Sequence, residues 1–158
     1  IKPEQVTLVP DAEDAITSNA GWDTIKHFDY LTDVIKTFKD AGIRTSIFLD
    51  PNPALIESAA KTGADRIELY TEEFATQYGL GNFEAINPYK ETAKLAIENG
   101  LAVNAGHDLS LDNIEYFIRE IPTIAEVSIG HALISEALYL GLENTIQAYL
   151  RKIELANL

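Results

Sequence analysis

The chain has 158 residues, with 12 Lys and Arg against 25 Asp and Glu and a formal charge of −13. Binding to a phosphate backbone needs clustered Lys and Arg, so this balance argues against a nucleic-acid partner. At 46% hydrophobic and 23% charged, the composition is that of an ordinary globular protein and the length fits about one domain. No run approaches the ~20 apolar residues of a membrane span, so a soluble, cytoplasmic protein with no membrane partner is expected. Without cysteine there is no disulfide framework, thiolate metal site or cysteine nucleophile. The chain opens at Ile1 and contains no methionine, which is the pattern of a fragment or a processed chain.

In chain order, Gln5 to Pro10 is a short β-type run. Helical spacing follows from Asp23 through Ile25, Phe28, Leu31, Ile35 and Phe38, with Gly42 at the C-terminal cap position. A strand is predicted from Arg44 to Leu49 and a helix from Pro53 to Lys61, which exits at Gly63. A third strand covers Arg66 to Tyr70. A glycine-interrupted connection leads to a helix that starts at Asn87-Pro88 and ends at Gly100, and the strand Leu101 to Ala105 follows. Ser110 and Asp112 signal the start of a helix ending near Glu120. The last strand, Glu126 to Ile129, passes through Gly130 and His131 into helical sequence with a break at Gly141.

Strands separated by helix-length connections are expected to be parallel with right-handed crossovers, which is the α/β class. The strand starts recur about every 30 residues, so eight such units need roughly the 250 residues of a (β/α)₈ TIM barrel. About five βα units are present here, and residues 1–158 are expected to be one partial barrel domain whose missing units precede Ile1. Buried parallel strands usually read as continuous apolar runs. Here polar groups recur at alternate positions: Ser46 and Asp50, Glu68 and Tyr70, Asn104 and Gly106, Ser128 and Gly130. One parity is expected to face helices and the other a polar interior with a site at its mouth. The alternative is a set of hydrogen-bonded core groups near strand ends.

Two of the three histidines follow directly on consecutive strand ends, His107 in VNAGHD and His131 in VSIGHA. That is the edge where a barrel places its chemistry. His107 suits general acid–base work, or else caps a loop. His131 opens a helix, so Gly130 and His131 are candidates to bind phosphate through backbone N–H groups. A His107/His131 metal pair lacks any supporting HxH or HExxH spacing, and no metal is expected. His27 reads as a surface side chain. Asp11, Glu13 and Asp14 read as a solvated acidic loop, and Thr17 to Gly21 as either a polar-ligand contact or a plain turn.

Taken together, LVP at 8–10, Thr17 with Gly21-Trp22-Asp23, SIFLD at 46–50, GADRIELYT at 63–71, VNAGHDL at 103–109 and IGHALI at 129–134 resemble the pyridoxine 5′-phosphate synthase family. The resemblance implies a (β/α)₈ barrel that forms homo-octamers and uses no cofactor. It also implies condensation of 3-amino-2-oxopropyl phosphate with 1-deoxy-D-xylulose 5-phosphate, giving pyridoxine 5′-phosphate, inorganic phosphate and water. By motif, His107 matches the proton-donating histidine, Gly130 and His131 the phosphate-binding pair, and Thr17 a residue contacting deoxyxylulose phosphate. Position 108 is commonly glycine in the family, where its backbone contacts the amino-ketone phosphate. Here Asp108 can still offer its N–H if the carboxylate points away from phosphate.

Tyr70-Thr71-Glu72 replaces a frequent His-Thr-Gly, and the 11–19 loop lacks the family's usual Lys-Arg and Glu-Gly. The family's early motifs, including its base glutamate, would lie before Ile1. On that footing the chain alone is expected to be inactive and, with open strand edges, prone to association. Two other readings stay open: another phosphate-binding barrel enzyme of the aldolase or isomerase class, and a noncatalytic barrel fragment. The first would be favoured by a Schiff-base lysine at a strand end, and none is present.

Overall fold

The computed structural model describes residues 2–11 and 15–158. Five parallel strands form one sheet: β1 (Gln5–Leu8), β2 (Arg44–Leu49), β3 (Arg66–Tyr70), β4 (Ala102–Gly106) and β5 (Ile124–Ser128). They lie side by side in chain order. An open doubly wound sheet reverses its strand order at a switch point, whereas barrel strands run sequentially around the wall. The observed order is that of a partial (β/α)₈ barrel.

Helices α1 (Phe28–Asp40), α2 (Ile56–Lys61), α3 (Glu72–Gly79), α4 (Asn87–Glu98) and α5 (Ile114–Glu120) fill the connections, and α6 (His131–Leu140) and α7 (Leu142–Ala156) close the chain. Strands β2 and β3 match their predicted bounds residue for residue. The break at Gly141 separates α6 from α7 as expected, with φ +80. At the end of α1 the Gly42 N–H donates to Lys39 O at 2.8 Å and the Ile43 N–H to Phe38 O at 3.0 Å, a Schellman closure. The left-handed φ of +70 at Gly42 makes that closure possible.

Several elements differ from expectation: α1 begins at Phe28 rather than Asp23, β5 covers Ile124–Ser128 rather than Glu126–Ile129, and the connection after β3 contains the helix α3. It has eight residues and buries only Phe74 fully, too short a stretch for a 3.6-residue period to register. Phe74 nonetheless ties three helices together. Its ring lies 5.0 Å from Phe117 of α5 and 6.0 Å from Tyr89 of α4, and its N–H donates to the Tyr89 hydroxyl at 3.2 Å.

The outward-facing side chains of the sheet, among them Ile47, Leu49, Ile67, Leu69, Val103 and Ala105, form the apolar core against the helices. The opposite parity is mostly polar, with Phe48 as an apolar member whose ring lies 5.2 Å from that of Tyr70. Thr7 donates to Glu68 at 2.9 Å. Arg66 contacts Asn104 at 2.8 Å and Glu126 at 2.9 Å. Arg44 of β2 reaches Glu126 of β5 at 3.1 Å. Those two strands are three positions apart, ~14 Å along a flat sheet, so the contact spans the concave side of a curled wall. The two readings of the alternating polar residues therefore meet: low on the wall they are hydrogen-bonded groups, and nearer the strand ends they line a mouth. Ser46 is the exception, because its buried hydroxyl has no partner.

Pairing of β4 with β5 shifts register: Val103 sits opposite Ile124 but Asn104 opposite Glu126. Ala125 is left as a bulge. The extra residue turns Glu126 and Ser128 inward and Val127 outward.

At the other end of the strands, Asp65 joins α1 to β2. It accepts from the Thr45 N–H at 2.8 Å, the Thr45 hydroxyl at 3.0 Å and Lys39 at 2.9 Å. Burial by itself would raise the carboxyl, but donation from Thr45 and Lys39 outweighs it and holds Asp65 below the usual range. A depressed folded-state value contributes stability above the unfolded value and loses it as pH falls. Stability linked to Asp65 should therefore decline below about pH 4. Asp65→Ala should lower unfolding stability by about 1–3 kcal/mol at neutral pH, since it strands the buried Thr45 N–H. Chemical denaturation of wild type and variant between pH 3 and 7 checks both statements, with the two curves converging at the acid end.

Candidate active site

The loop after β1 is seated by one close approach. Gly21 lies against the end of β2, where a Cβ would stand 2.3 Å from the backbone N of Asp50, so only glycine fits. The Trp22 N–H donates to Phe48 O at 2.8 Å and the Gly21 N–H to the Asp50 carboxylate at 3.3 Å. This seating carries Thr17 across the mouth to β4, where its hydroxyl lies 2.9 Å from His107 Nε2.

His107 follows β4 directly. Its Nδ1 lies 2.7 Å from Asp108 Oδ2, and the Tyr70 ring at the end of β3 meets it edge-on at 4.9 Å. Both His107 (φ +82) and Asp108 (φ +60) adopt left-handed backbone, uncommon for non-glycine residues. The turn is clamped on every carbonyl. Thr71 donates its N–H to Gly106 O at 3.1 Å and directs its hydroxyl at Gly106 O and His107 O. Asn113 donates to Asp108 O at 3.2 Å. A Cβ at Gly106 would lie 2.5 Å from Glu68 Oε1 and 3.0 Å from Ser128 Cβ, so a larger residue there would have to push the Glu68 carboxylate aside.

Gly130 and His131 open α6 beside this turn, and no side chain caps the helix start. All five residues predicted for the site line one cavity of about 240 Å³: Thr17, His107, Asp108, Gly130 and His131, together with Ser128. Burial pushes the Tyr70 hydroxyl above the usual phenol range, and the carboxylates of Glu72, Asp108, Asp50 and Asp11 act in the same direction. Negative charge thus surrounds the mouth, and an anion bound there would depend on N–H donors and the helix start.

Among the described residues no cluster of three or more His, Asp and Glu is placed to hold a metal ion, and no helix is long and apolar enough to cross a membrane. His27 departs from its reading as a surface side chain: it is half-buried, edge-on to Trp22 at 5.2 Å. Asp11 is exposed and accepts from Ser18 at 2.7 Å, while Glu13 and Asp14 lie outside the described residues. Sequence reasoning missed Thr71 and Asn113 as the groups that hold the His107 turn. The signal available was a threonine directly after a strand end.

Sequential parallel strands joined by helices, with the candidate side chains on loops at the strand C-terminal ends, define the (β/α)₈-barrel fold class. Within that class the chain belongs to the family described as pyridoxal phosphate biosynthesis protein PdxJ, whose model matches residues 1–155. It is 66% identical over 154 residues to a pyridoxine 5′-phosphate synthase of Christiangramia forsetii, covering 98% of this chain and 65% of that protein. It is 65% identical over 153 residues to the protein of the same name from Flavobacterium johnsoniae, covering 97% and 65%. The chain therefore spans just under two thirds of these relatives. In fold it is similar to a chain of the Amycolatopsis orientalis BexX/CysO complex, with a TM-score of 0.60 and 16% identity over 96% of this chain and 56% of that one.

Replacing Thr71 by Val keeps its shape and removes the hydroxyl that holds Gly106 O and His107 O. Unfolding stability should drop by about 1–2 kcal/mol. Thr71→Ser should recover most of that loss. Denaturant titration of the three proteins provides the check.

Proposed function

We propose that this chain provides the proton-handling and phosphate-binding part of a pyridoxine 5′-phosphate synthase, within one partial-barrel unit of a cytoplasmic homo-oligomer, an octamer by the family resemblance. The reaction is condensation of 3-amino-2-oxopropyl phosphate with 1-deoxy-D-xylulose 5-phosphate to pyridoxine 5′-phosphate, phosphate and water. The observation that carries the reading is the meeting of Thr17, His107, Asp108, Gly130 and His131 around one cavity, supported by relatives 65–66% identical that are named pyridoxine 5′-phosphate synthase.

Ring formation from two phosphorylated ketones requires protons to be delivered to departing oxygens. His107 is placed for this, with Nε2 facing the Thr17 hydroxyl at the cavity wall. Thr17 holds a hydroxyl of the deoxyxylulose phosphate in the same space. The phosphate end lies at the uncapped start of α6, where Gly130 permits close approach and first-turn N–H groups of the helix supply local attraction against a net charge of −13. The Asp108 N–H serves the amino-ketone phosphate, while its carboxylate is engaged by His107.

In the full-length enzyme, His107→Asn should lower turnover by about 10²-fold or more with little change in binding of phosphorylated substrates. Steady-state kinetics with calorimetry tests the role, and near-wild-type turnover rejects it. Gly130→Val is informative because no heavy atom lies within 4 Å of the position a Cβ would take. The added Cβ meets no protein atom, but φ −102 and ψ −105 at Gly130 lie outside the regions a β-branched residue favours, so thermal unfolding of the variant is measured beside binding. Affinity for a phosphorylated substrate and for inorganic phosphate should fall by about tenfold or more. Unchanged affinity for all of them would place the phosphate elsewhere.

A further inference from the structure

Both ring nitrogens of His107 are engaged, and their partners are chemically unequal. Asp108 Oδ2 lies 2.7 Å from Nδ1, and Thr17 Oγ1 lies 2.9 Å from Nε2. An ionised carboxylate only accepts, so the hydrogen in the first contact belongs to Nδ1. A neutral imidazole carries one N–H, so Nε2 keeps its lone pair and the Thr17 hydroxyl donates to it. We propose that Asp108 is a positioning residue that fixes His107 in the Nδ1–H tautomer, making Nε2, on the Thr17 side of the cavity, the nitrogen that takes up and returns the proton. This rests on the reading of His107 as the proton-handling group and names the residue that prepares it.

The backbone makes the contact possible. Successive side chains on an extended strand point to opposite faces, so a residue cannot normally place its carboxylate on the ring of the residue before it. The paired left-handed conformations, φ +82 at His107 and φ +60 at Asp108, fold the Asp108 side chain back onto Nδ1. Thr71 and Asn113 hold the carbonyls of Gly106, His107 and Asp108 in that turn. Tyr70, edge-on at 85°, braces the ring from the β3 side. Among the described residues Asp108 supplies the carboxylate within hydrogen-bond reach of the ring, and His131 lines the same cavity.

The chemistry is proton transfer without redox change. Once bound substrate draws the Thr17 hydroxyl off the Nε2 lone pair, Nε2 takes a proton from a substrate O–H or C–H bond, the electron pair stays on the substrate, and the Asp108 carboxylate faces the resulting imidazolium. The same proton returns from Nε2 to a departing oxygen.

The test is the ¹⁵N spectrum of histidine-labelled full-length enzyme, in alkaline buffer where the rings are neutral, with His107 assigned by the signal lost in His107→Asn. The expected result is a protonated-type Nδ1 and an unprotonated-type Nε2. Asp108→Gly removes the carboxylate while suiting φ +60, so the turn is retained. Its two His107 nitrogens should move toward averaged values or exchange character, and kcat should fall by about tenfold or more with KM little changed. Asp108→Asn can turn its NH₂ toward Nδ1 and so favour the Nε2–H tautomer, and its spectrum should move toward that tautomer with kcat lowered at least as far as in Asp108→Gly. An Nε2–H tautomer in the wild type, or an unchanged spectrum in Asp108→Gly, overturns the proposal. A shifted spectrum with unchanged kcat supports the positioning role and counts instead against His107 as the proton-handling group, which keeps the two failures apart.

Discussion

Glu126 gathers the concave face of the sheet. It accepts from Arg44 of β2, Arg66 of β3 and Asn104 of β4, so one edge-strand carboxylate contacts each of three strands. The pairs are partly exposed, with the Glu126 side chain 45% accessible, and exposed ion pairs contribute little energy. Their consequence is geometric. The bulge at Ala125 alone puts Glu126 on this face, and the same step sends Ser128 inward and α6 to the His107 side of the mouth. Had β5 kept the register of Val103 and Ile124 unshifted, Glu126 and Ser128 would point toward the helices and Val127 into the polar interior.

The second constraint is the turn at the end of β4. Two adjacent left-handed residues each cost about 1–3 kcal/mol when they are not glycine, and Asp bears this better than most because its short side chain can hydrogen-bond locally. The surrounding groups overdetermine the conformation: Thr71 is fully buried, Asn113 nearly so, and both donate into the turn. The helices behind them are locked by the aromatic cluster around Phe74. The short helix α3 thus has a function that its length conceals, since Thr71 is the residue from which it starts.

The large features were legible because each rests on a local pattern. Apolar residues at alternate positions with glycine or proline at the ends specify β2 and β3, and Gly-His at two strand ends marks the mouth. What was not legible depends on pairing between distant segments. Nothing in Ile124 to Ser128 announces a bulge, because it exists only relative to β4. The left-handed turn was hidden because neither His107 nor Asp108 is a glycine. Read by charge alone, Asp108 was an obstacle to phosphate; its position against Nδ1 follows from backbone direction, which composition does not encode. His27 appeared solvated among Asp and Lys neighbours in sequence, and only the fold of the loop brings Trp22 against it.

The contact between Gly106 and Glu68 carries a consequence for how this sequence can vary. The Glu68 carboxylate occupies the volume that a methyl group on residue 106 would need. Glu68 pairs with Asn104 and Gly106 with Tyr70, so the two lie diagonally across β3 and β4, one inward-facing step apart. The order of change is therefore constrained: position 68 can shorten while 106 stays glycine, whereas a side chain at 106 needs the Glu68 carboxylate to swing aside or to have been shortened first.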